Sequence, residues 1–262
     1  MKVNASSLGS YAFCPRSVYL SDYLGIAPSN EAELAEGLIG HGIRKELFLR
    51  QRSLLGKVGD AAELEVLLRS ELVDISCKAA SVYSKRFPGI DLKLFVSAAC
   101  SEVSEDITAL MERLQYMLSD MDLDKALRNI TPVEVDYYVS SDTLGLTGLI
   151  DLVYGGKNSY PVELKTCTPS DTIWEGDKLQ VCAYSMLLEE SLGLKTIPHG
   201  FVEYTRIRER RPVVNMEKLR EKVLGVRDCV LDILGGTTPD ICPHGSGRKC
   251  SSCGLTDKCY EI

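Results

Sequence analysis

The stretch from Pro132 to Thr166 constrains the fold most, because apolar and polar residues alternate there in three consecutive segments. It reads PVEVDYYVSSDTLGLTGLIDLVYGGKNSYPVELKT, is rich in Val and Tyr, and is interrupted by Asp142, by two adjacent glycines and by Asn158. Alternation with a period of two, bounded by turn residues, is typical of strands. We therefore predict a meander of at least three strands.

Helical periodicity flanks this meander on both sides. Apolar residues recur at helical spacing in NEAELAEGLIGHGIRKELFLRQ, which Asn30 can cap with Glu33 three residues later. The pattern stays helical over about 60–128, with a break near Pro88, and returns over about 173–192 and 215–234. HGFVEYTRIRER, between the last two helices, is predicted to be one further strand. This order predicts an α/β fold with a helical insertion and a small metal-bound tail.

The pattern divides the chain into an N-terminal segment 1–27, a helical region 28–130, a sheet core 131–240 and a cysteine-rich tail 241–262. With 262 residues, of which 45% are hydrophobic and 26% charged, the chain can bury a core and has an ordinary globular composition. It begins without the apolar stretch of a signal peptide and has no segment suited to a membrane span, so we expect a cytoplasmic protein with no membrane partner. The net charge of −7 argues against a protein that coats nucleic acid but allows a nuclease with a local basic stripe.

An acidic residue lies within the most apolar strand of the meander. Asp151 follows GLTGLI, and Glu163 and Lys165 lie two residues apart, hence on one face of the next strand. The intervening turn residues predict a hairpin that brings the two carboxylates together. Carboxylates can hold Mg²⁺ or Mn²⁺ with positions left for phosphate oxygens, while the lysine orients water or stabilises negative charge. The alternative is an ordinary cross-strand salt bridge.

Three more side chains can join this site. Gln180 and Tyr184 are four residues apart on the following helix and therefore share a face. His41, between two glycines on the first long helix, can supply an imidazole ligand, which suits Mn²⁺ better than Mg²⁺. The alternative for His41 is a purely structural role.

The order of these motifs resembles that of RecB-type PD-(D/E)xK nucleases, on the residues His41, Asp151 in GLIDLVY, Glu163-Leu164-Lys165, Gln180 and Tyr184. Asp151 lacks a preceding proline, as is common in RecB-type members. Cys14 followed by Pro-Arg, together with a C-terminal cysteine trio, is similar to the iron–sulfur members, in particular the CRISPR-associated RecB-like exonuclease family. The resemblance covers both ends and 131–206 but not 53–130. It implies a nuclease core with a mixed central sheet flanked by helices.

The resemblance also implies an activity, that of a metal-dependent exonuclease acting on single-stranded DNA ends or overhangs. Its role would lie in CRISPR adaptation, in processing or selecting fragments for the integrase complex. Lys165 would be the catalytic lysine, with Gln180 and Tyr184 beside it. The implied ligands of Mn²⁺ or Mg²⁺ are His41, Asp151, Glu163 and the backbone carbonyl of Leu164.

Two other functions remain open from the sequence. One is a RecB-like nuclease of helicase-coupled DNA repair, whose motor would be a separate protein because the chain contains no GxxxxGK[ST] segment. The other is a non-catalytic iron–sulfur scaffold in the CRISPR integration complex. The complete Asp151, Glu163 and Lys165 set argues against the scaffold.

Ten cysteines in a reducing compartment favour metal binding over disulfides. CSSCGLTDKC near the end supplies three thiols of a four-ligand site, and the fourth ligand is either the distant Cys14 or the nearby Cys242. The spacing suits an iron–sulfur cluster better than a zinc ribbon. The resemblance selects Cys14, and it implies a 4Fe–4S cluster, with 2Fe–2S as the alternative, held by Cys14, Cys250, Cys253 and Cys259.

Other cysteines occur singly in apolar helical patterns and are predicted to be core residues, namely Cys77, Cys100, Cys182 and Cys229. Basic side chains that could contact DNA occur in RIRERR, where Arg206 and Arg208 are predicted to share a strand face that Arg210 continues. Further basic candidates are Arg44, Lys45, Arg50, Arg248 and Lys249. Aromatic candidates for base stacking are Tyr11, Phe13, Tyr19 and Trp174.

Overall fold

A computed structural model describes residues 1–156, 158–167, 169–241 and 247–262. The predicted meander is confirmed as three consecutive strands, and the helices flanking it follow the predicted order. The elements are β1 (Val3–Asn4), α1 (Ala5–Phe13), α2 (Pro15–Val18), a π-helical turn (Tyr19–Tyr23), α3 (Glu31–Ser53), α4 (Ala61–Ser84), α5 (Leu92–Met117), α6 (Leu123–Ile130), β2 (Glu134–Ser141), β3 (Leu146–Tyr154), β4 (Tyr160–Lys165), α7 (Glu175–Leu192), β5 (His199–Tyr204), a 3-10 turn (Thr205–Ile207), β6 (Glu209–Val214), α8 (Glu217–Leu234), α9 (Gly247–Ser251) and α10 (Thr256–Glu261).

The strands form one mixed sheet in which β3 pairs with three other strands. β2 runs antiparallel along one edge of β3. The opposite edge is shared by β1, which is parallel and pairs Val3 with Leu146, and by β4, which is antiparallel and pairs Tyr160 with Tyr154. β5 adds parallel to β4, and β6 adds antiparallel to β5. The predicted α/β fold with a mixed sheet flanked by helices is therefore confirmed.

Short polar residues set the ends of the long helices. Asp60, Asp91 and Asp122 begin α4, α5 and α6, and each carboxylate accepts a hydrogen bond from a backbone N–H of the first turn. Gly193 ends α7 in the left-handed conformation, at φ 60°. Asn30 precedes α3, but its side-chain amide donates to Glu33 Oε2 at 2.9 Å instead of capping the helix. Among the described helices, none is both long enough and apolar enough to cross a membrane.

The prediction of a single strand over HGFVEYTRIRER is wrong, because the chain reverses direction inside it. β5 ends at Tyr204, a 3-10 turn follows, and Arg208 takes the left-handed conformation at φ 54° before β6 begins at Glu209. β5 and β6 then pair as an antiparallel hairpin. The turn itself, TRIR, contains none of the Gly, Pro, Asn or Asp residues that normally mark a turn. Periodicity alone therefore predicts one continuous strand here.

Two large apolar cores and two smaller apolar clusters on the sheet strands support the described structure. One large core joins the sheet to α1, α7 and α8 and includes Leu8, Ile150 and Leu187. The other large core lies within α3–α6 and includes Leu68 and Leu114. Helices α1, α7 and α8 thus pack on the sheet, whereas α3–α6 have a core of their own and reach the sheet through Phe48 of α3.

The single cysteines are less buried than their helical patterns predict. Cys182 is buried on α7 as expected, and Cys100 is half-buried. Cys77 and Cys229 are exposed, which corrects the prediction that they are core residues. On α4 the buried stripe runs through Leu72, Ile75 and Ala79, and Cys77 falls outside it.

Candidate active site

Asp151 is buried in β3, an interior strand of the sheet, where its carboxylate accepts a hydrogen bond from the neighbouring strand. The backbone N–H of Leu164 on β4 donates to Asp151 Oδ2 at 2.8 Å. The side chain is 9% exposed, so most of its solvation must come from protein groups. The hairpin predicted from the turn residues is confirmed, and it places Asp151 next to the strand that carries Glu163.

Glu163 is buried beside Asp151 and is surrounded by donors. Gln180 Nε2 donates to Glu163 Oε1 at 3.0 Å, and Lys165 Nζ lies 3.1 Å from the same oxygen. Burial raises the pKa of Glu163, the negative charge of Asp151 raises it further, and Lys165 opposes the shift. Two neighbouring carboxylates repel each other unless a cation lies beside them or they share a proton.

Lys165 is enclosed by oxygen acceptors from two elements. Its ammonium lies 3.1 Å from Glu163 and 3.1 Å from Asp177 of α7, and it donates to Gln180 Oε1 at 3.4 Å. Burial lowers the pKa of Lys165, but the two carboxylates outweigh burial and raise it. The lysine is therefore a fixed positive charge at the site, suited to orienting an anion rather than to accepting a proton.

Gln180 and Tyr184 form one polar face of α7 over the strands. Gln180 Nε2 also lies 2.8 Å from the Tyr184 hydroxyl, which donates to the Leu149 carbonyl at 3.0 Å. Gly148 allows this arrangement, because a Cβ there would lie 2.7 Å from Tyr184 Cε1. Both side chains are brought to the carboxylates, as the sequence predicted from their spacing.

The helix α3 reaches the site from its other side with two residues one turn apart. His41 Nδ1 lies 3.9 Å from Asp151 Oδ2, and burial lowers the pKa of His41, although Asp151 opposes that shift. Lys45 Nζ lies 2.6 Å from Asp151 Oδ1 and 2.5 Å from Asp136 Oδ1. Lys45, one of the basic residues that the sequence offers for DNA contact, is an ion-pair partner of Asp151 in the structure.

The side chains at the site have the right chemistry to bind a hard divalent cation, but in this structure they are not spaced as a metal site. Asp151, Glu163 and His41 supply carboxylate oxygens and a neutral imidazole, which are ligands that Mn²⁺ and Mg²⁺ accept. Within the described residues, however, no three His, Cys, Asp or Glu side chains are grouped so that they could hold a metal ion. Each carboxylate is instead matched by a lysine, Asp151 by Lys45 and Glu163 by Lys165.

The predicted cluster cysteines lie on segments that contact each other. Lys249 Nζ, next to Cys250, donates to the Phe13 carbonyl at 3.0 Å. Arg16 donates to the Cys259 carbonyl at 3.3 Å, and the Ser29 N–H donates to the Gly254 carbonyl at 2.7 Å. The four thiols at 14, 250, 253 and 259 are half-buried. Cys242 and the side chain of Arg248 fall outside the part of the chain that the structure describes.

The arginines predicted to bind DNA do not share a strand face, because the turn at 205–208 separates them. Arg206 pairs with Glu36 at 2.5 Å, and Arg208 pairs with Glu105 at 2.6 Å. Arg210 pairs with Glu203 and stacks over Tyr154 at 4.7 Å from the ring centroid. Arg44 and Arg50 are paired with carboxylates as well. In an acidic chain, arginines find internal partners, so contact with DNA stays a prediction for these residues.

A groove of about 710 Å³ leads from Glu163 and Lys165 toward the tail. Its walls come from the start of α7, from α1 and from the tail. Trp174, at the N-terminus of α7, lines this groove and is 53% exposed. Phe13 and Lys249 line it too, with the Lys249 ammonium over the Phe13 ring. The groove therefore combines the polar site with exposed aromatic surface.

Three residues of the site were missed by sequence reasoning, or assigned elsewhere. Lys45 follows His41 by four residues, so its place on the same helix face as His41 could have been predicted. Asp177 precedes Gln180 by three residues on α7 and could have been found in the same way. Asp136 lies opposite Asp151 only through the pairing of β2 with β3, which a single sequence does not reveal.

A family model described as the PD-(D/E)XK nuclease superfamily matches residues 2–260. The matched span includes every residue gathered at the site and the cysteines at both ends. No curated protein matches the chain.

Proposed function

The chain belongs to the PD-(D/E)XK nuclease superfamily, and we propose that it is a deoxyribonuclease that hydrolyses DNA from single-stranded ends. The observation that carries the proposal is that Asp151 and Glu163 are buried on two paired strands, with Lys165 in contact with Glu163. Gln180 is hydrogen-bonded to both Glu163 and Lys165. A cross-strand salt bridge with no further role would not require two buried carboxylates side by side.

Nucleases of this superfamily use divalent metals such as Mg²⁺ or Mn²⁺. Here the ligands would be Asp151, Glu163, the Leu164 carbonyl and His41. The cation supplies a water of lowered pKa and charge stabilisation for the phosphate. Lys165, fixed by Glu163 and Asp177, would hold the attacking water or a phosphate oxygen, and Gln180 keeps its ammonium aimed at the site.

Support for a single-stranded substrate comes from the groove beside these residues. Single strands bind to proteins by stacking exposed bases on aromatic side chains. Trp174 offers such a surface in the same groove as Glu163 and Lys165. A strand end that stacks there would have its terminal phosphodiester near the carboxylates.

The nuclease is tested with end-labelled single-stranded DNA and Mn²⁺. We expect Lys165→Ala and Asp151→Asn each to lower the rate at least about a hundredfold, because each removes a group that acts on the reacting phosphate. Lys78→Ala, which removes a lysine paired with Asp74 on α4, is the matched control and should leave the rate unchanged. A circular single strand should resist cleavage if ends are required. Degradation by both site variants at the wild-type rate would refute the proposed site.

We further propose that the four cysteines hold an iron–sulfur cluster at the contact between the chain ends, as the resemblance implies. The contacts from Arg16 and Lys249 across this junction support it, because they already bring the two cysteine-bearing segments together. Anaerobic purification should yield a brown protein with iron and sulfide, and Cys14→Ala should lose both. A colourless protein that contains one zinc ion would refute the cluster.

The combined motif order and cysteine pattern support a role in CRISPR adaptation, in the cytoplasm, as a processor of fragments for integration. This assignment is tested by co-purification with an integrase encoded beside the gene. Association with a helicase instead would favour the repair role.

A further inference from the structure

Lys45 bridges two carboxylates from neighbouring strands at the rim of the proposed active site. It extends from α3, one turn after His41, and its ammonium contacts Asp136 on β2 and Asp151 on β3. The lysine side chain is 15% exposed, and the Asp136 side chain is 46% exposed. One of its partners is therefore a buried site residue and the other is open to solvent.

Asp136 itself has an unusual backbone. It lies in a strand but takes φ 51°, a left-handed conformation that, among the described non-glycine residues, is shared only with Arg208. Residues on either side keep regular pairing with β3, so the distortion is confined to the position opposite Asp151. Such a conformation costs on the order of 1 kcal/mol and persists where the surroundings stabilise it. The side chain of Asp136 pairs with Lys45 at this position.

The ammonium of Lys45 contacts Asp151 Oδ1, a carboxylate oxygen that could otherwise bind a divalent cation. Asp151 Oδ2 already accepts the Leu164 N–H, and Oδ1 accepts Lys45. In this arrangement Lys45 neutralises Asp151, and Lys165 neutralises Glu163. Among the described side chains, no three of His, Cys, Asp or Glu are grouped so that they could hold a metal ion. A divalent cation that binds Asp151 through Oδ1 therefore competes with Lys45 for that oxygen, and Asp136 is the acceptor that can keep the displaced ammonium close by.

We propose that Lys45 is a positioning residue that serves as an exchangeable internal counter-ion. It neutralises Asp151 when no divalent cation is bound, and it transfers to Asp136 alone when one binds. This inference rests on the proposed metal site at Asp151 and Glu163. Lys45 then sets how tightly the cation binds, because the cation competes with it, and Asp136 favours the cation by retaining the displaced ammonium.

The test is Mn²⁺ affinity, measured by calorimetry without DNA, on the full chain. Lys45→Met removes the competing ammonium and should bind Mn²⁺ about tenfold more tightly, a change of the size known for groups that surround metal ligands. Asp136→Asn leaves Lys45 with Asp151 as its remaining carboxylate and should bind Mn²⁺ about tenfold more weakly. Lys78→Met, on the far helix α4, is the control and should not alter affinity.

The opposite signs of the two variants distinguish this role from simple support of the fold, which would weaken binding in both. Weaker or unchanged Mn²⁺ affinity in Lys45→Met would overturn the proposal. If Lys45→Met does not fold, Lys45→Gln, which keeps a polar side chain without the charge, must show the same tightening, and Asp136→Asn tests the other half independently. Unchanged Mn²⁺ affinity in Asp151→Asn would instead refute the proposed metal site itself, on which the exchange depends.

Discussion

The helical region α3–α6 and the sheet region, β1–β6 with α1, α7 and α8, use burial for different purposes. The core of the helical region consists of aliphatic residues and Phe87, and Asp60 and Asp91 cap its helices α4 and α5. The sheet region also has an apolar core, but it buries Asp151, Glu163 and Gln180 at the edge of that core. Among its described residues, the helical region buries one charged side chain, Arg44, which pairs with Glu102 and Asp106, and otherwise relies on apolar contacts. The sheet region buries two neighbouring carboxylates, which stay buried only because partners neutralise them.

The two regions meet at α3, which belongs to the core of one and contributes His41 and Lys45 to the site of the other. A stable helical scaffold can hold charged side chains over the sheet without depending on those charges for its own folding. Changes in the apolar core of the helical region should therefore alter stability, and changes in the groove of the sheet region should alter DNA binding.

The largest effect should come from the helical core. Leu68 is fully buried on α4, and Leu68→Ala should lower the free energy of unfolding by about 2–5 kcal/mol through lost burial and a cavity. Nuclease activity per folded molecule, measured well below the melting temperature, should stay near that of the wild type. Loss of activity in molecules that circular dichroism shows to be folded would mean that the two regions are not separable.

Binding of single strands should depend on the sheet region alone. Trp174 is the one tryptophan in the sequence, so quenching of the protein's tryptophan fluorescence by a short oligonucleotide reports stacking at this residue. Trp174→Ala should weaken binding by about 1–3 kcal/mol, measured by polarisation of a labelled strand with Ca²⁺ in place of a catalytic metal. Tyr116→Ala removes a similarly exposed ring from the helical region and should leave affinity unchanged. Equal losses in the two variants would contradict the assignment of the groove.

Close packing of α1 against α7 provides a milder perturbation of the sheet region. A Cβ on Gly176 would lie 2.9 Å from Gly9 Cα, whereas a Cβ on Gly9 would lie 3.6 Å from its nearest atom in the other helix. Gly176→Ala should destabilise the protein by about 1–2 kcal/mol, since the clash exceeds the gain in helix propensity. Gly9→Ala should be neutral or slightly stabilising in the same chemical denaturation experiment. A stabilising Gly176→Ala would show that the two helices can separate freely.

The smallest effect should arise where Asp106 of α5 meets Arg44 of α3. Burial raises the pKa of Asp106 to about 6, although Arg44 opposes the shift, and Oδ1 has no hydrogen-bond partner among the described residues. Because the folded state binds the proton more tightly than the unfolded state, stability should fall as pH rises from about 4 to 6. The raised pKa of Asp106 should contribute roughly 1–2 kcal/mol to the free energy of unfolding at low pH, because the partial exposure of its side chain weakens the effect. Asp106→Asn should remove this decline from urea-denaturation curves taken across that range, and an unchanged slope would contradict the raised pKa.

Sequence patterns predicted the elements where local physics is strong. The alternation over 132–166 predicted three strands, and helical periodicity predicted α7 up to its end at Gly193. The same patterns failed where local signals are weak. No turn residue marks the reversal between β5 and β6, and Cys77 and Cys229 occur in apolar surroundings in the chain but on exposed faces of their helices.

For the site, the sequence by itself determined which chemistry is available, because residue types and two-residue or four-residue spacings place Glu163 with Lys165 and Gln180 with Tyr184 on common faces. Only the tertiary structure decided which charges neutralise one another. Lys45 approaches Asp151 from α3, and Asp136, on β2, contacts the same lysine. Asp177 approaches Lys165 from α7. The spacings of Lys45 and Asp177 indicate which helix face each shares with a site residue. Which charged group each one meets depends on strand register and on helix placement, which arise from packing across the whole chain.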